Sequence, residues 1–373
     1  MKENKNIPEW NESNASGGFA SKYSNGTVEK HVINPQKVTA PRLKQMSPEE
    51  YCSGILNGNR TALARAITLI ESSSPKHVDI ARRLLNLLLP HSGKSIRIGI
   101  TGAPGAGKST FIDSFGNYLA NLNHNVAILA IDPSSARSRG SIMGDKTRME
   151  RLSQLKNVFV RPSPSGGNLG GVARKTRESI IACEAAGFDV IIIETIGAGQ
   201  SEVAARSMVD FFMLLLLPGE GDELQGLKKG TVELSDAIII NKADGDNVFK
   251  AQSTLVSYKT AVHYLLPATE GWETCVLTAS ALNDNGIDDI WQKILEFEEI
   301  TKQSGVFQER RRSQAIEWVH AIINDSLKTQ FYSNAKVKNI IPSIEEKVSN
   351  GTMNSAEAAQ ILLQAYEGKI LPD

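Results

Sequence analysis

Residues 97–110 read RIGITGAPGAGKST. An apolar run enters a glycine-rich turn, a lysine and two hydroxyl residues follow, and a helical pattern begins behind them. The spacing from Gly102 to Ser109 is GxxxxGK[ST], in the strand–loop–helix setting that this motif requires. Its glycines let successive backbone N–H groups curl inward around phosphate oxygens, and the following helix adds the positive end of its dipole. Gly102, Ala103, Pro104, Gly105, Ala106 and Gly107 are therefore read as a phosphate cradle that continues through Thr110. Lys108 brings a cation to the β- and γ-phosphates, and Ser109 offers a hydroxyl to Mg²⁺. A nucleoside triphosphate is the expected ligand.

Six more apolar runs accompany this one: VAILAI (126–131), VFV (158–160), VIIIE (190–194), FFMLLLL (211–217), AIIIN (237–241) and CVLTA (275–279). Segments long enough for crossover helices, such as 107–122, 173–186 and 247–263, separate most of them. Strands that are apolar throughout and alternate with helices predict an α/β fold of the P-loop NTPase kind, a mainly parallel sheet covered by helices. That domain is expected over residues 94–287.

Residues 1–40 are rich in Asn, Ser, Lys and Gly and read as a flexible polar tail. A helical leader is expected over 41–93. It is opened by the capping box Ser47-Pro48-Glu49-Glu50 and carries Leu63, Ala66, Ile67 and Ile70, then Ile80, Leu84, Leu85 and Leu88 at helical spacing. From 288 to 373 the pattern is helical only. Ile316, Val319, Ile323 and Leu327 mark one amphipathic helix, and Asn354-x-x-Glu357 caps another. This extension is expected to bury its stripe by dimerising.

The 373 residues balance 41 basic against 41 acidic side chains, so bulk electrostatics gives no reason to expect nucleic acid or a membrane surface as partner. No run of 18 apolar residues is present. The amino terminus MKENKNIPEWNESNAS is unlike a targeting segment, and a cytoplasmic location is expected. Cys52, Cys183 and Cys275 stand apart in sequence and are read as small buried groups rather than as ligands or disulfides.

The base is read next. Asn241-Lys242-Ala243-Asp244 ends the AIIIN run. A carboxylate at Asp244 can accept from N1–H and the 2-amino group of guanine together, a donor pair that adenine lacks. Asn241 and Lys242 would brace that pocket, and Ser280, Ala281 and Leu282, after CVLTA, would offer backbone N–H groups to the guanine oxygen. Together these point to GTP and GDP. Acids for Mg²⁺ are expected at other strand ends, Asp132 after VAILAI and Glu194 at the end of VIIIE. Glu194 follows four apolar residues, where an unused carboxylate is costly. Asp145, in the charged and glycine-rich stretch 140–148, is a further candidate. Ala198 stands after Gly197, where signalling GTPases place a water-orienting glutamine, so slow intrinsic hydrolysis is expected.

As a set, these stretches resemble the MeaB/ArgK-type GTPases, a family that includes the human methylmalonic aciduria type A protein. The similar segments are GITGAPGAGKSTFID (99–113), AIDPSSARSRGSIMGDKTRM (130–149), RPSPSGGNLGGVARKTRE (161–178), ETIGAGQSE (194–202), GDELQGLKKG (221–230) and NKADGDN (241–247). DPSS, GDKTRM and DELQGLKKG discriminate more sharply than the phosphate loop does. The resemblance implies a homodimeric, cytoplasmic, Mg²⁺-dependent GTPase that acts as a chaperone for adenosylcobalamin-dependent methylmalonyl-CoA mutase. It would gate loading of the cofactor, which belongs to the mutase, and protect or reactivate that enzyme. It also implies Asp132, Asp145 and Glu194 as metal and switch acids. The loop PGEGDELQGLKKG (218–230) would be a third switch in which Lys228 swings toward the phosphates, with Glu220, Asp222 and Glu223 holding another arrangement. Competing readings are a metallochaperone GTPase, for which paired His/Cys ligands are lacking, a small-molecule kinase, and a guanine-nucleotide sensor for another acyl-CoA mutase.

Overall fold

The seven apolar runs become seven parallel strands of a single sheet in the computed structural model. They are β1 (Ile96–Gly102), β2 (Val126–Ile131), β3 (Val158–Arg161), β4 (Val190–Thr195), β5 (Phe211–Leu216), β6 (Ala237–Ile240) and β7 (Cys275–Thr278). The structure describes residues 46–368 apart from 73, 132–149, 163–168, 196–199 and 220–229, and these belong to one compact unit, Met46–Asp373. The expected tail over 1–40 lies outside the described residues.

Strand order is β3-β2-β4-β1-β5-β6-β7. The chain leaves β1 in one direction for β2 and β3, returns to β4, then crosses β1 to build β5, β6 and β7. Strand β1 is therefore central, and its carboxyl end lies where strand order reverses, the place where ligands bind in open α/β sheets.

Period-two alternation sorts the strand residues between two faces. Ile96, Ile98 and Ile100 of β1, with Val190 and Ile192 of β4, pack beneath helices α4 (Lys108–Asn121) and α9 (Ile287–Ser304). Phe111 and Phe115 meet Ile290, Trp291, Ile294 and Phe297 there. The other face takes Ile191, Ile193 and Phe212 against the leader helices α1 (Pro48–Leu56), α2 (Arg60–Glu71) and α3 (Pro75–Leu88), and against α6 (Leu169–Ala185). Gly99 faces that side, where the Phe212 ring leaves no room for a side chain; a Cβ there would stand 2.6 Å from its Cδ2. Short α5 (Glu150–Gln154) follows β2, α7 (Gln200–Arg206) follows β4, and α8 (Val248–His263) follows β6.

The leader's first helix starts on the predicted capping box, Glu50 N donating to Ser47 Oγ at 3.1 Å and Ser47 N to Glu50 Oε2 at 2.7 Å. At the other end of the chain, α10 (Val306–Ser333), α11 (Ala335–Ser349) and α12 (Ser355–Glu367) follow α9. Asn354 caps α12 through Glu357 N at 2.8 Å. The boundary expected at 288 falls within the first turn of α9, whose Trp291 and Phe297 lie inside the sheet domain's core. What stands clear of the core begins further on, within α10, where Ile316, Val319, Ile323 and Leu327 are exposed.

The first turns of α10 are fixed to the amino-terminal edge of the sheet by charge. Arg311 donates to both Asp210 oxygens at 2.8 and 2.6 Å and to the carbonyls of Gly93 and Ser95. Asp210 directly precedes β5 and is buried. Arg206 donates to Asp236 at 2.8 Å, directly before β6, and Gln314 donates to the Val209 carbonyl at 2.8 Å. Buried carboxylates with several charge-assisted donors are tolerable where bare ones are not.

Candidate nucleotide-binding site

At the carboxyl end of β1 the chain curls through residues 103–107 into α4. Gly105 and Gly107 both have φ near +85°, a region that side chains resist. Gly107 also has no room, since a Cβ would lie 2.7 Å from Asn241 Nδ2. Gly102 runs so close to the Leu215 carbonyl oxygen of β5 that a Cβ would collide with it. Ala106 is buried, whereas Pro104 and Gly105 are exposed. Lys108 folds over the loop, its Nζ donating to Gly102 O at 2.8 Å and Ala103 O at 3.1 Å. The cation thus stands within the curl. Ser109 follows in the first turn of α4, half-buried, and Thr110 beside it is exposed.

The second part of the site is tied to the first by one buried side chain. Asn241 Nδ2 donates to the Ala106 carbonyl at 2.9 Å, and its Oδ1 accepts from Ala281 N at 3.3 Å. Lys242 has φ +59° and passes beside Gly107. Ala243 N donates to Ala279 O at 3.0 Å, and the Ser280 hydroxyl donates to Asp244 Oδ2. The turn after β7 closes on itself, Ser280 and Asn285 exchanging backbone bonds at 3.0 and 3.1 Å. Asp284 holds that turn to α4, accepting from Ser114 Oγ at 2.5 Å. Leu282 projects from it, 77% exposed. Gly102–Thr110, Asn241–Asp244 and Ser280–Leu282 therefore share one edge of the sheet, the carboxyl ends of β1, β6 and β7.

Glu194, 9% exposed, lies on β4 in register with Ile100 of β1 and on the α4 side of the sheet. Its hard oxygen and the Ser109 hydroxyl are donors that suit Mg²⁺, which keeps most of its waters and takes few protein ligands. Among the described residues no group of three or more His, Cys, Asp and Glu could hold a metal ion. Asp132, Asp145, Gly197, Ala198, Glu220, Asp222, Glu223 and Lys228 lie outside the described residues.

Several residues of this edge went unread in the sequence. Thr195 Oγ1 donates to Thr101 Oγ1 at 2.8 Å, Thr101 to Glu202 Oε1 at 3.2 Å, and Thr231 to Glu202 Oε2 at 2.9 Å. Hydroxyls carry no pattern by themselves: Thr101 lies in GITGAPGAGKSTFID and Thr195 and Glu202 in ETIGAGQSE, stretches already singled out, yet no role was read for them, and Thr231 stood outside any such stretch. The thiols are remote from this chemistry. Only Cys183 is fully buried, Cys52 and Cys275 being half-buried, and none is in a disulfide. Burial pushes the Cys183 thiol up strongly and the Cys275 thiol up to about 12.

Against this geometry, the family model described as "Methylmalonyl Co-A mutase-associated GTPase MeaB" matches residues 63–336. The chain is 42% identical to GTPase ArgK of Escherichia coli over 80% of this chain and 90% of that protein. It is 41% identical to the mitochondrial methylmalonic aciduria type A homolog of Mus musculus, over 87% of this chain and 81% of that one. A crystal structure described as a LAO/AO transport system kinase superposes with TM-score 0.70 and 34% identity, over 87% of this chain and all of that one. With P-loop, base-edge residues and parallel sheet in one arrangement, the chain belongs to the MeaB family of methylmalonyl-CoA mutase-associated GTPases and is an enzyme that hydrolyses GTP.

Proposed function

We propose that the enzyme is a GTP-driven chaperone of adenosylcobalamin-dependent methylmalonyl-CoA mutase, gating cofactor loading and protecting or reactivating the mutase. Support for the mutase comes from the family match over residues 63–336. The observation that carries guanine nucleotide chemistry is the Asn241 side chain, which joins the phosphate loop at Ala106 to the Ala281 turn. A base seated against Asp244 and a phosphate chain in the curl of residues 102–110 are then held by one connected framework.

In this reading the backbone N–H groups of Gly105, Ala106 and Gly107, with Lys108, receive the phosphates. Lys108 shifts from the Gly102 and Ala103 carbonyls to the β/γ oxygens. Ser109 and Glu194, with Asp132 and Asp145 from outside the described residues, would hold Mg²⁺ and its waters. The ion supplies charge neutralisation across the β- and γ-phosphates when bound. Asp244 accepts from the guanine N1–H and amino group, while Ser280 orients its carboxylate. Lys228 is the residue we assign to stabilising charge as the γ-phosphate leaves, in place of an arginine finger. Ala198 offers no side chain to orient the attacking water, so basal turnover is slow.

Exposure of Ile316, Val319, Ile323 and Leu327 along one face of α10 supports a homodimer joined through this extension. No described helix is long and apolar enough to cross a membrane, and we place the enzyme in the cytoplasm. Calorimetric titration of the mutase with this protein tests the chaperone reading. Differential binding is what couples two equilibria, so the affinity should differ by about fivefold or more between the GDP complex and a complex with a non-hydrolysable GTP analogue. Equal affinity in both states, or no complex, would overturn it.

A further inference from the structure

Strand ends around the phosphate loop are joined by a proton-donor chain that stops at one carboxylate. Thr195, directly after Glu194, donates its hydroxyl to Thr101 at 2.8 Å; Thr101, directly before Gly102, donates to Glu202 Oε1 at 3.2 Å. From the other side Thr231 donates to Glu202 Oε2 at 2.9 Å. Thr101 and Thr195 are fully buried, Thr231 is 7% exposed and Glu202 is half-buried. Each hydroxyl spends its single proton in the same direction, so the terminal group must be acceptor-only with two oxygens. A carboxylate meets that demand. An amide meets it only if one threonine hydroxyl turns round and gives its proton elsewhere.

We infer that Glu202 is a positioning residue for GTP hydrolysis, fixing Thr101 beneath the phosphate loop and Thr231 with a single carboxylate. Glu202 does not reach the site itself; it acts through the residues it holds. Thr101 sets where β1 turns into Gly102 and so where the loop amides point. Thr195 sets the end of β4 beside Glu194. Because Glu202 holds Thr101 and Thr231 directly and Thr195 through Thr101, a shift of any of them is felt at the others.

The same short helix is anchored at its far end. Arg206 of α7 donates to Asp236 at 2.8 Å and to Thr269 Oγ1 at 3.1 Å, and Arg310 of α10 also donates to Thr269. Gln314 of α10 donates to the Arg206 carbonyl at 3.4 Å. Helix α7 therefore has one turn on the phosphate-loop framework and the next on the helix that leads into the carboxyl-terminal extension. Its two ends are held by different partners, so Glu202 can be varied without cutting the anchor at Arg206.

The inference rests on the enzyme's GTP hydrolysis and not on the identity of its partner, so it is tested on the full-length protein alone. Steady-state GTP turnover, affinity for a fluorescent GDP analogue and thermal midpoint are measured for wild type, Glu202→Ala, Glu202→Gln and Thr231→Val. Two charge-accepted hydrogen bonds are lost in Glu202→Ala, and kcat is expected to fall about tenfold with KM for GTP within about threefold of wild type. Glu202→Gln should recover only part of that rate, kcat staying about threefold below wild type, because one of the two threonine hydroxyls then faces an N–H donor and must turn round. Adding Thr231→Val to Glu202→Ala should cost less than the two changes do separately, because both act on one contact. A thermal midpoint that falls while kcat of the folded protein stays within about twofold of wild type would overturn the proposal, leaving Glu202 a structural residue. So would a raised KM with unchanged kcat, which would assign Glu202 to ground-state binding. Should Glu202→Ala not fold, Glu202→Gln and Thr231→Val carry the same kcat test between them, and unchanged kcat in both would equally overturn it.

Discussion

Asn241 and Ala106 are 135 residues apart in sequence and 2.9 Å apart in the structure, the Asn241 amide donating to the Ala106 carbonyl while its oxygen accepts from Ala281. This buried amide fixes the phosphate loop to the Ala281 turn, and in the proposed reading it thereby sets the spacing of the two ends of the nucleotide. Replacing it with alanine strands a buried carbonyl and a buried N–H. Asn241→Ala should weaken GDP binding by about 2 kcal/mol, roughly thirtyfold, read by titration with a fluorescent nucleotide.

Specificity for the base is carried by Asp244 in this account. Asp244→Asn replaces an acceptor pair by one acceptor and one donor, which matches xanthine, whose 2-position bears a carbonyl. GTP turnover should fall about a hundredfold in kcat/KM and XTP turnover should rise above it. Unchanged preference for GTP would remove Asp244 from the base pocket.

Gly105 and Gly107 share a φ of about +85° but not their surroundings. Gly105→Ala carries backbone strain alone, whereas Gly107→Ala also drives a methyl into Asn241. The first should cost about 1 kcal/mol of stability and the second clearly more, with nucleotide binding lost only in the second. Chemical denaturation and GDP titration of the two variants separate these effects.

Asp210 is 1% exposed and is answered by Arg311 from α10, a side chain 101 residues away. Arg311→Ala leaves a buried carboxylate short of its principal donor, and should lower stability by about 3–5 kcal/mol in urea denaturation. Arg82→Ala, which breaks an exposed pair with Asp79, should leave the midpoint unchanged within error.

The three cysteines supply a pH test. Burial raises the Cys183 and Cys275 thiols, and desolvation raises Cys52 as well. A thiol whose folded value lies above its unfolded value of about 8.5 keeps its proton in the folded state while the unfolded chain releases it. Stability from this source is fully present below that value and is lost as pH rises through the folded value. The native protein should therefore resist alkylation at pH 8, label fully in denaturant, and weaken on the alkaline side.

Much of this architecture was written in short sequence patterns. Each strand announced itself as an apolar run, and the phosphate loop and Asn241–Asp244 stood at strand ends where the sheet would expose them. Glu194 was noticed because an acid flush against buried residues must be answered. Asp210 and Asp236 obey the same rule at the opposite strand ends, immediately before FFMLLL and AIII, but went unremarked. Their partners Arg311 and Arg206 sit 101 and 30 residues away on other elements, and no local pattern links such pairs. Period alone likewise cannot say what a helix packs against. Helix α9 looked like the start of an extension, yet Trp291 and Phe297 belong to the central core. Thr101, Thr195 and Thr231 were illegible for a simpler reason: a threonine's role is set by what stands opposite it.

The central claim is that the mutase operates this GTPase. GTP turnover by the purified protein, alone and with apo- or holo-methylmalonyl-CoA mutase, tests it most directly, with Lys228→Ala alongside. The account predicts that the mutase accelerates wild-type hydrolysis by about tenfold or more, while Lys228→Ala keeps its slow basal rate and does not respond. Turnover that is the same with and without the mutase would contradict it.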